Sequence, residues 1–349
     1  MLRQSVWLTG AFSVLVVFTL TVFSQESTEF PRYCSNYEEA VEEAQLDGEQ
    51  TFEEIVAEVA TFSSKGQIAQ IDLKQSRAGF GTYTADKSEI VTFDYWFYDM
   101  YVETRETKMR FIVLVNEQQV SAIVNSTNEY YHDILVTSNT IEKFTVQLPS
   151  LNTGLYNIAV VSITDPDSYP ELGDDQLISA NVFSLIVDEP NVVRRDLSFT
   201  HLEMFAQRGP NVPTLGIRNM LEEDSLQMWY PGGALEVLPD TPFDFFIKLG
   251  YIPGSPLGPQ VSQFAVLLFM DYRQIPFDEN TPVFYGEVDD QTAQAHIPMT
   301  LTAPSEPGKY DILSIRILNP GYVICETVEV PERSIFEMFA ERVSIEVVP

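Results

Sequence analysis

The chain has 349 residues, 45% of them hydrophobic and 12% aromatic, which is enough apolar material for two packed cores and too much for a disordered polymer. Its 51 acidic side chains against 20 basic ones give a net charge of -31, which excludes a nucleic-acid binder and a protein adhering to anionic lipid, because phosphate-binding surfaces need clustered Lys and Arg. The same charge suits solubility outside a cell, a cationic partner or divalent cations.

Met1-Leu2-Arg3 gives a short positive start, and Val6 to Phe23 is apolar apart from Thr9, Gly10, Ser13, Thr19 and Thr21. Residues 1–24 are therefore predicted to direct export. They read either as a signal peptide cleaved after Ser24 or, since the apolar run is nearly long enough to span a bilayer, as an uncleaved membrane anchor. Either way the positive charge lies before the run, which places the remainder on the outer side. The expected location is extracytoplasmic, secreted or anchored through this segment, with membrane contact only there.

Residues 25–64 form an acidic segment. Ser35-Asn36-Tyr37-Glu38 and Thr51-Phe52-Glu53-Glu54 each have the form of a capping box, with Gly48 between the segments they open, so two short helices are predicted. Phe52, Ile55, Val56 and Val59 share one face of the second. The segment reads as a docking element for a basic partner, or as a helical pair packed against the first folded domain with its acidic side solvated.

From about residue 65 the periodicity turns to strands, and the strands come twice. Gly154-Leu155-Tyr156-Asn157-Ile158 leads through an apolar run to Asp165-Pro166, and Gly308-Lys309-Tyr310-Asp311-Ile312 leads through another to Asn319-Pro320. Tyr310 follows Tyr156 by 154 positions, as Pro320 follows Pro166. Other runs recur in the same order: Phe93 to Tyr98 with Phe243 to Ile247, Phe111 to Val115 with Phe264 to Phe269, Phe144 to Leu148 with Ile297 to Leu301, and Asn181 to Val187 with Arg342 to Val348. The ends of the second pair also correspond, as Asn116-Glu117-Gln118-Gln119 and Asp271-Tyr272-Arg273-Gln274. A repeated order at nearly constant offset marks a duplicated domain. Short strands between turn signals, without helical periodicity, predict antiparallel sandwiches. The boundaries read 65–190 for the first sandwich and 191–349 for the second, each burying its Tyr-led strand in a core of its own.

Leu151-Asn152-Thr153-Gly154-Leu155-Tyr156 and Pro304-Ser305-Glu306-Pro307-Gly308-Lys309-Tyr310 resemble the tyrosine corner of immunoglobulin-like and fibronectin-type modules. The resemblance implies a hydroxyl that bonds back to nearby backbone at the start of the penultimate strand. It also implies tandem Ig-like β-sandwiches of the kind found in exported bacterial surface proteins. Neither half carries the Cys-Trp-Cys set of antibody domains.

The second sandwich has a longer lead into its aromatic strand, and Met228-Trp229-Tyr230-Pro231-Gly232-Gly233 within it predicts an added hairpin. With the loop from Gly250 and Tyr251 to Pro259, it is the expected recognition surface. Trp229, Tyr230 and Tyr251 are candidate binding residues there; Trp96 and Tyr98 are the candidates in the first sandwich. Alternation puts Phe93, Tyr95 and Phe97 on one face and Trp96 and Tyr98 on the other.

Asp165, Asp167, Glu171, Asp174 and Asp175 offer calcium a set of oxygen ligands on one loop, or form a hydrated acidic turn. Cys34 and Cys325 allow one disulfide between the N-terminal segment and the second sandwich. His132, His201 and His296 lack a second His or Cys at ligand spacing, and no nucleophile elbow, Walker loop, zinc-protease or dinucleotide motif is present. A non-enzymatic surface protein that binds or scaffolds an extracellular protein or polysaccharide is thus expected, without cofactor other than calcium. The alternative is a carbohydrate-binding or enzyme-accessory protein that stacks sugars on its aromatics.

Overall fold

The computed structural model describes residues 66–73, 76–79, 82–100, 105–168, 178–188, 195–202, 204–206, 214–217, 235–250, 262–278, 281–288, 293–321 and 338–349, and the single positions 53, 56 and 57. The export segment, the first predicted helix, the added hairpin and both cysteines lie outside the described residues.

In the first half the strands are β1 (Gly66–Leu73), β2 (Ser76–Gly79), β3 (Thr82–Ala85), β4 (Thr92–Met100), β5 (Glu106–Val115), β6 (Gln118–Gln119), β7 (Ala122–Val124), β8 (Thr127–Glu129), β9 (Tyr131–Thr137), β10 (Ile141–Gln147), β11 (Gly154–Thr164) and β12 (Ile178–Val187). In the second half they are β13 (Thr200–His201), β14 (Met204–Ala206), β15 (Thr214–Ile217), β16 (Leu235–Val237), β17 (Pro242–Gly250), β18 (Ser262–Met270), β19 (Arg273–Ile275), β20 (Phe284–Val288), β21 (Ala293–Thr302), β22 (Gly308–Leu318) and β23 (Met338–Val347).

They build four sheets. The first runs β1-β4-β10-β7-β8, and the second β2-β3-β12-β11-β5-β6 with β9 also on β5. The third runs β13-β20-β18-β22-β23-β16 with β19 also on β18, and the fourth β14-β21-β17-β15. All five predicted strand pairs exist and hold corresponding places: β4 beside β10 as β17 beside β21, and β5-β11-β12 as β18-β22-β23. The pairing is antiparallel except in three pairs, where β3 joins β12, β13 joins β20 and β16 joins β23 in parallel.

Side-chain alternation along these strands decides the packing. Phe93, Tyr95 and Phe97 of β4 face Phe111 of β5, Ile158 and Val160 of β11 and Phe183 of β12 in the first core. Tyr95 meets Phe111 edge-on at 5.7 Å between ring centres, and Phe93 meets Phe183 at 5.4 Å. Phe245 and Ile247 of β17 face Val266 and Leu268 of β18 and Ile312 of β22 in the second core. On its inward face β22 also carries Arg316, 1% exposed, where β11 carries Ser162.

The two tyrosine corners match. Tyr156 donates its hydroxyl to the carbonyl of Asn152 at 2.9 Å, and Tyr310 donates to the carbonyl of Glu306 at 2.8 Å. One expectation is corrected. The Tyr-led strands do not serve separate cores alone, because a third apolar cluster joins the two sandwiches. Ile112 and Leu114 of β5 and Ala159, Val161 and Ile163 of β11 pack against Ala265, Leu267 and Phe269 of β18 and Leu313, Ile315 and Ile317 of β22. The four sheets therefore stack as four layers. Each inner strand is apolar on both sides because each side meets a different layer.

Glu53, Val56 and Ala57 have helical backbone, where the second acidic helix is predicted. Val56 is buried against Tyr98, beside Trp96 and Ile141, on the outer face of the first sheet.

Candidate functional site

The polar groups that the fold assembles most densely rim the junction between the sandwiches. They grow from two matching turns. Asn116 and Glu117 after β5 have φ of 50° and 61°, and Asp271 and Tyr272 after β18 have 46° and 62°. Two consecutive left-handed residues define the mirror-image turn whose twist suits a tight hairpin, although neither turn contains glycine. Its cost is offset by side-chain bonds to the neighbouring strand: the N–H of Asn157 donates to Asn116 Oδ1 at 2.9 Å, and that of Asp311 to Asp271 Oδ1 at 3.0 Å.

The second residue of each turn reaches into the other sandwich. Glu117, 2% exposed, accepts from Arg195 Nη2 at 2.5 and 2.6 Å and from the Tyr285 hydroxyl at 3.0 Å. Tyr272 lays its ring over the Arg110 guanidinium at 4.3 Å, while Tyr131 covers it at 4.4 Å. The Tyr272 hydroxyl donates within 2.7 Å of the Pro166 carbonyl and 2.9 Å of Asp311 Oδ2. Between the turns Gln119 and Gln274 exchange bonds: each backbone N–H donates to the other's side-chain oxygen, at 2.6 and 2.8 Å.

The charges are paired. Arg110 grips Asp133 with two bonds of 2.6 and 2.7 Å, and Lys108 reaches Asp133 at 2.9 Å and Asp167 at 2.7 Å. Burial alone would raise the Asp133 carboxyl, but the bonds from Arg110 and Lys108 outweigh it and hold the group below its ordinary range. Bonds to Asp167 and then Asp133 push Lys108 up. Arg342 donates to Asp311 and to the carbonyls of Pro166 and Ser168 at 2.6 and 2.7 Å. Burial, reinforced by the Asp311 charge, pushes the Tyr272 phenol far up, and burial with the Glu117 charge does the same to Tyr285. These groups hold their protons across the physiological range. The arrangement fixes an orientation between two bodies.

Of the predicted site residues, Trp96, Tyr98, Asp165 and Asp167 are among the described ones. Tyr98 is buried under Val56, and Trp96 is half-buried with the Lys143 ammonium 4.3 Å from its ring centre. Asp165 lies in a turn with φ of 46°, its carbonyl accepting from Ser168, and Asp167 is tied to Lys108. Trp229, Tyr230, Tyr251, Glu171, Asp174, Asp175, Cys34 and Cys325 lie outside the described residues. Among the described residues no group of three or more His, Cys, Asp or Glu is placed to hold a metal ion. His132 is buried with Nε2 donating to the Ala122 carbonyl at 3.1 Å, and His201 is exposed, 3.7 Å from Glu287. Sequence reasoning aligned the two turns but passed over Glu117, Tyr272, Gln119 and Gln274. A polar tip at the same place in both repeats was the signal that could have found them.

No protein-family model matches the sequence, and no curated protein matches it. Among solved structures, the chain is similar to the CARDB domain of the PF1109 protein from Pyrococcus furiosus, in a crystal structure with di-metal ions. The identity is 12%, over 36% of this chain and 96% of that one, with a TM-score of 0.23. A solution NMR structure of the same domain matches at 10% identity over 35% and 94%, with a TM-score of 0.21. The β-sandwich architecture rests on the sheets and cores described above.

Proposed function

We propose that this chain is an exported, non-enzymatic protein whose two Ig-like sandwiches form one stiff body that binds or scaffolds a protein outside the cell. The observation that carries this reading is the third apolar cluster with its reciprocal tips. Modules on a flexible tether keep their outer sheet faces polar, whereas here both faces are apolar and buried against each other. Such a body holds its ends at a fixed separation, which suits support and presentation better than turnover. The apolar run at residues 6–23 supports export.

The sugar-stacking alternative loses one of its platforms, since Tyr98 is buried and Lys143 sits over Trp96. It would fall to Trp229, Tyr230 and Tyr251. Two measurements test the proposal: protease shaving of intact cells, and affinity electrophoresis of the full chain in polysaccharide gels with and without calcium. Degradation by external protease together with unretarded migration is expected. Protection from the protease would remove the export reading. Retardation abolished by Trp229→Ala would replace scaffolding by carbohydrate binding.

A further inference from the structure

The two halves differ at one sheet edge, and the second half shows what such an edge can hold. β20 and β9 correspond: Gly286 pairs with Phe264 as Ile134 pairs with Met109, and Glu287 with Gln263 as Leu135 with Lys108, Phe264 and Met109 lying opposite Leu318 and Thr164 at matching places of the Tyr-led strands. Each pairs along one side with the strand that ends at a junction turn, β20 with β18 and β9 with β5. The other side of β20 is occupied by the chain itself. Thr200 and His201 lie parallel to Gly286 and Glu287, and the Leu202 N–H donates to the Glu287 carbonyl at 3.3 Å. Phe199 meets the Tyr285 ring edge-on at 5.9 Å, and Leu202, 8% exposed, fills the space beside Gly286.

Among the described residues nothing pairs with the outer side of β9. The N–H of Ser138 donates to the Arg105 carbonyl, so Val136, Ile134 and His132 turn their backbone groups toward β5. Tyr131, Asp133 and Leu135 turn theirs outward, at the register where Glu287 accepts its bond in the other half. Leu135 is 66% exposed and Tyr130 44% exposed, so an apolar flank accompanies the open backbone. Edge strands are commonly guarded by a charge directed past the edge. Here the candidate guard, Asp133, is held back by Arg110 and Lys108.

From this difference we infer that the outer edge of β9 accepts an extended segment of a partner protein as an added parallel strand. This deepens the proposed binding role and rests on it, although it does not require export. The occupant differs from β13 in one respect. Ile134 fills the place that Gly286 leaves to Leu202, so the segment carries glycine or another small residue where the chain's own strand has Leu202. A second copy of this chain is the less suitable occupant, because two bodies of charge -31 repel as they approach.

The probe is a synthetic peptide of residues 195–202 carrying Leu202→Gly, added to the full chain at about millimolar concentration, where strand pairing of this length becomes measurable. Hydrogen exchange resolved to single amides reads the outcome. Slowing of roughly tenfold at Tyr131, Asp133 and Leu135, absent with a scrambled peptide, is expected. Leu135→Pro removes one outward N–H and leaves the bonds to β5, so it should abolish the slowing, while Leu135→Ala keeps it. Should Leu135→Pro fail to fold, competition between the unaltered peptide and the one carrying Leu202→Gly decides, with the substituted peptide protecting better. Unchanged exchange at the three amides overturns the inference, whatever the chain's location. Protection that rises with protein concentration and no peptide overturns it in favour of self-association.

Discussion

At the scale of single residues, the junction depends on charges that have lost water and keep their partners. Asp311 is 3% exposed and receives Arg342, the Tyr272 hydroxyl and the Ser344 hydroxyl. Arg342→Met leaves a buried carboxylate without its cation and should cost roughly 3–5 kcal/mol, whereas adding Asp311→Asn should restore most of the loss. Urea midpoints of the single and double variants check this, and equal destabilisation of both would show that packing dominates. His132 supplies a pH dependence. Burial pushes its imidazole below the ordinary value, against the pull of the Ala122 carbonyl, Glu129 and Asp133. Because the folded value is depressed, the unfolded chain binds the proton first. Stability is fully present above ~6.5 and falls as pH drops from there toward the folded value. His132→Gln should flatten that stretch of the stability curve. The Asp133 contribution, also from a depressed group, is lost only below ~4, which separates the two windows.

At the scale of strands, repetition made the fold legible and geometry kept the rest hidden. Tyr156 and Tyr310, with the glycine two places before each, announced both inner strands, and Phe93, Tyr95 and Phe97 fell on one face as alternation required. Gly154 shows why that residue type leads the motif. Its φ is +150°, a region costly for any side chain, although the nearest atom to an added Cβ is Tyr156 Cε2 at 3.9 Å. Gly154→Ala should therefore destabilise by about 1–3 kcal/mol without any clash, measurable as a shift in denaturant midpoint at unchanged slope. What alternation could not tell was where the second apolar face of β5, β11, β18 and β22 is spent. A strand apolar on both sides states that it is covered twice and does not name the cover. Likewise Trp96 and Tyr98 read equally well as a sugar platform or as a seat for Val56, because an aromatic pair on a sheet has the same spelling in both roles.

At the scale of the whole molecule, four layers sharing three apolar clusters should melt together. Phe269 lies at the middle cluster with no exposed surface. Phe269→Ala removes a large side chain from between the sandwiches and should cost about 3–5 kcal/mol of coupling. Calorimetry of the unaltered chain is expected to show one transition, and the variant two, the sandwiches then unfolding in turn. A single transition in both would place the coupling elsewhere in the interface.

Divergence of the two tips settles which faces recognise which. Tyr272 needs the guanidinium of Arg110, and the second half has Ala265 at that place, since Arg110 lies opposite Ile163 and Ala265 opposite Ile317. Glu117 needs Arg195, which belongs to the approach to the second half. A like-with-like pairing would strand a carboxylate in one case and lose a stacked cation in the other. The duplicated chain thus behaves as lock and key within one molecule, and crowded neighbours of the same kind have little to gain by pairing like half with like half.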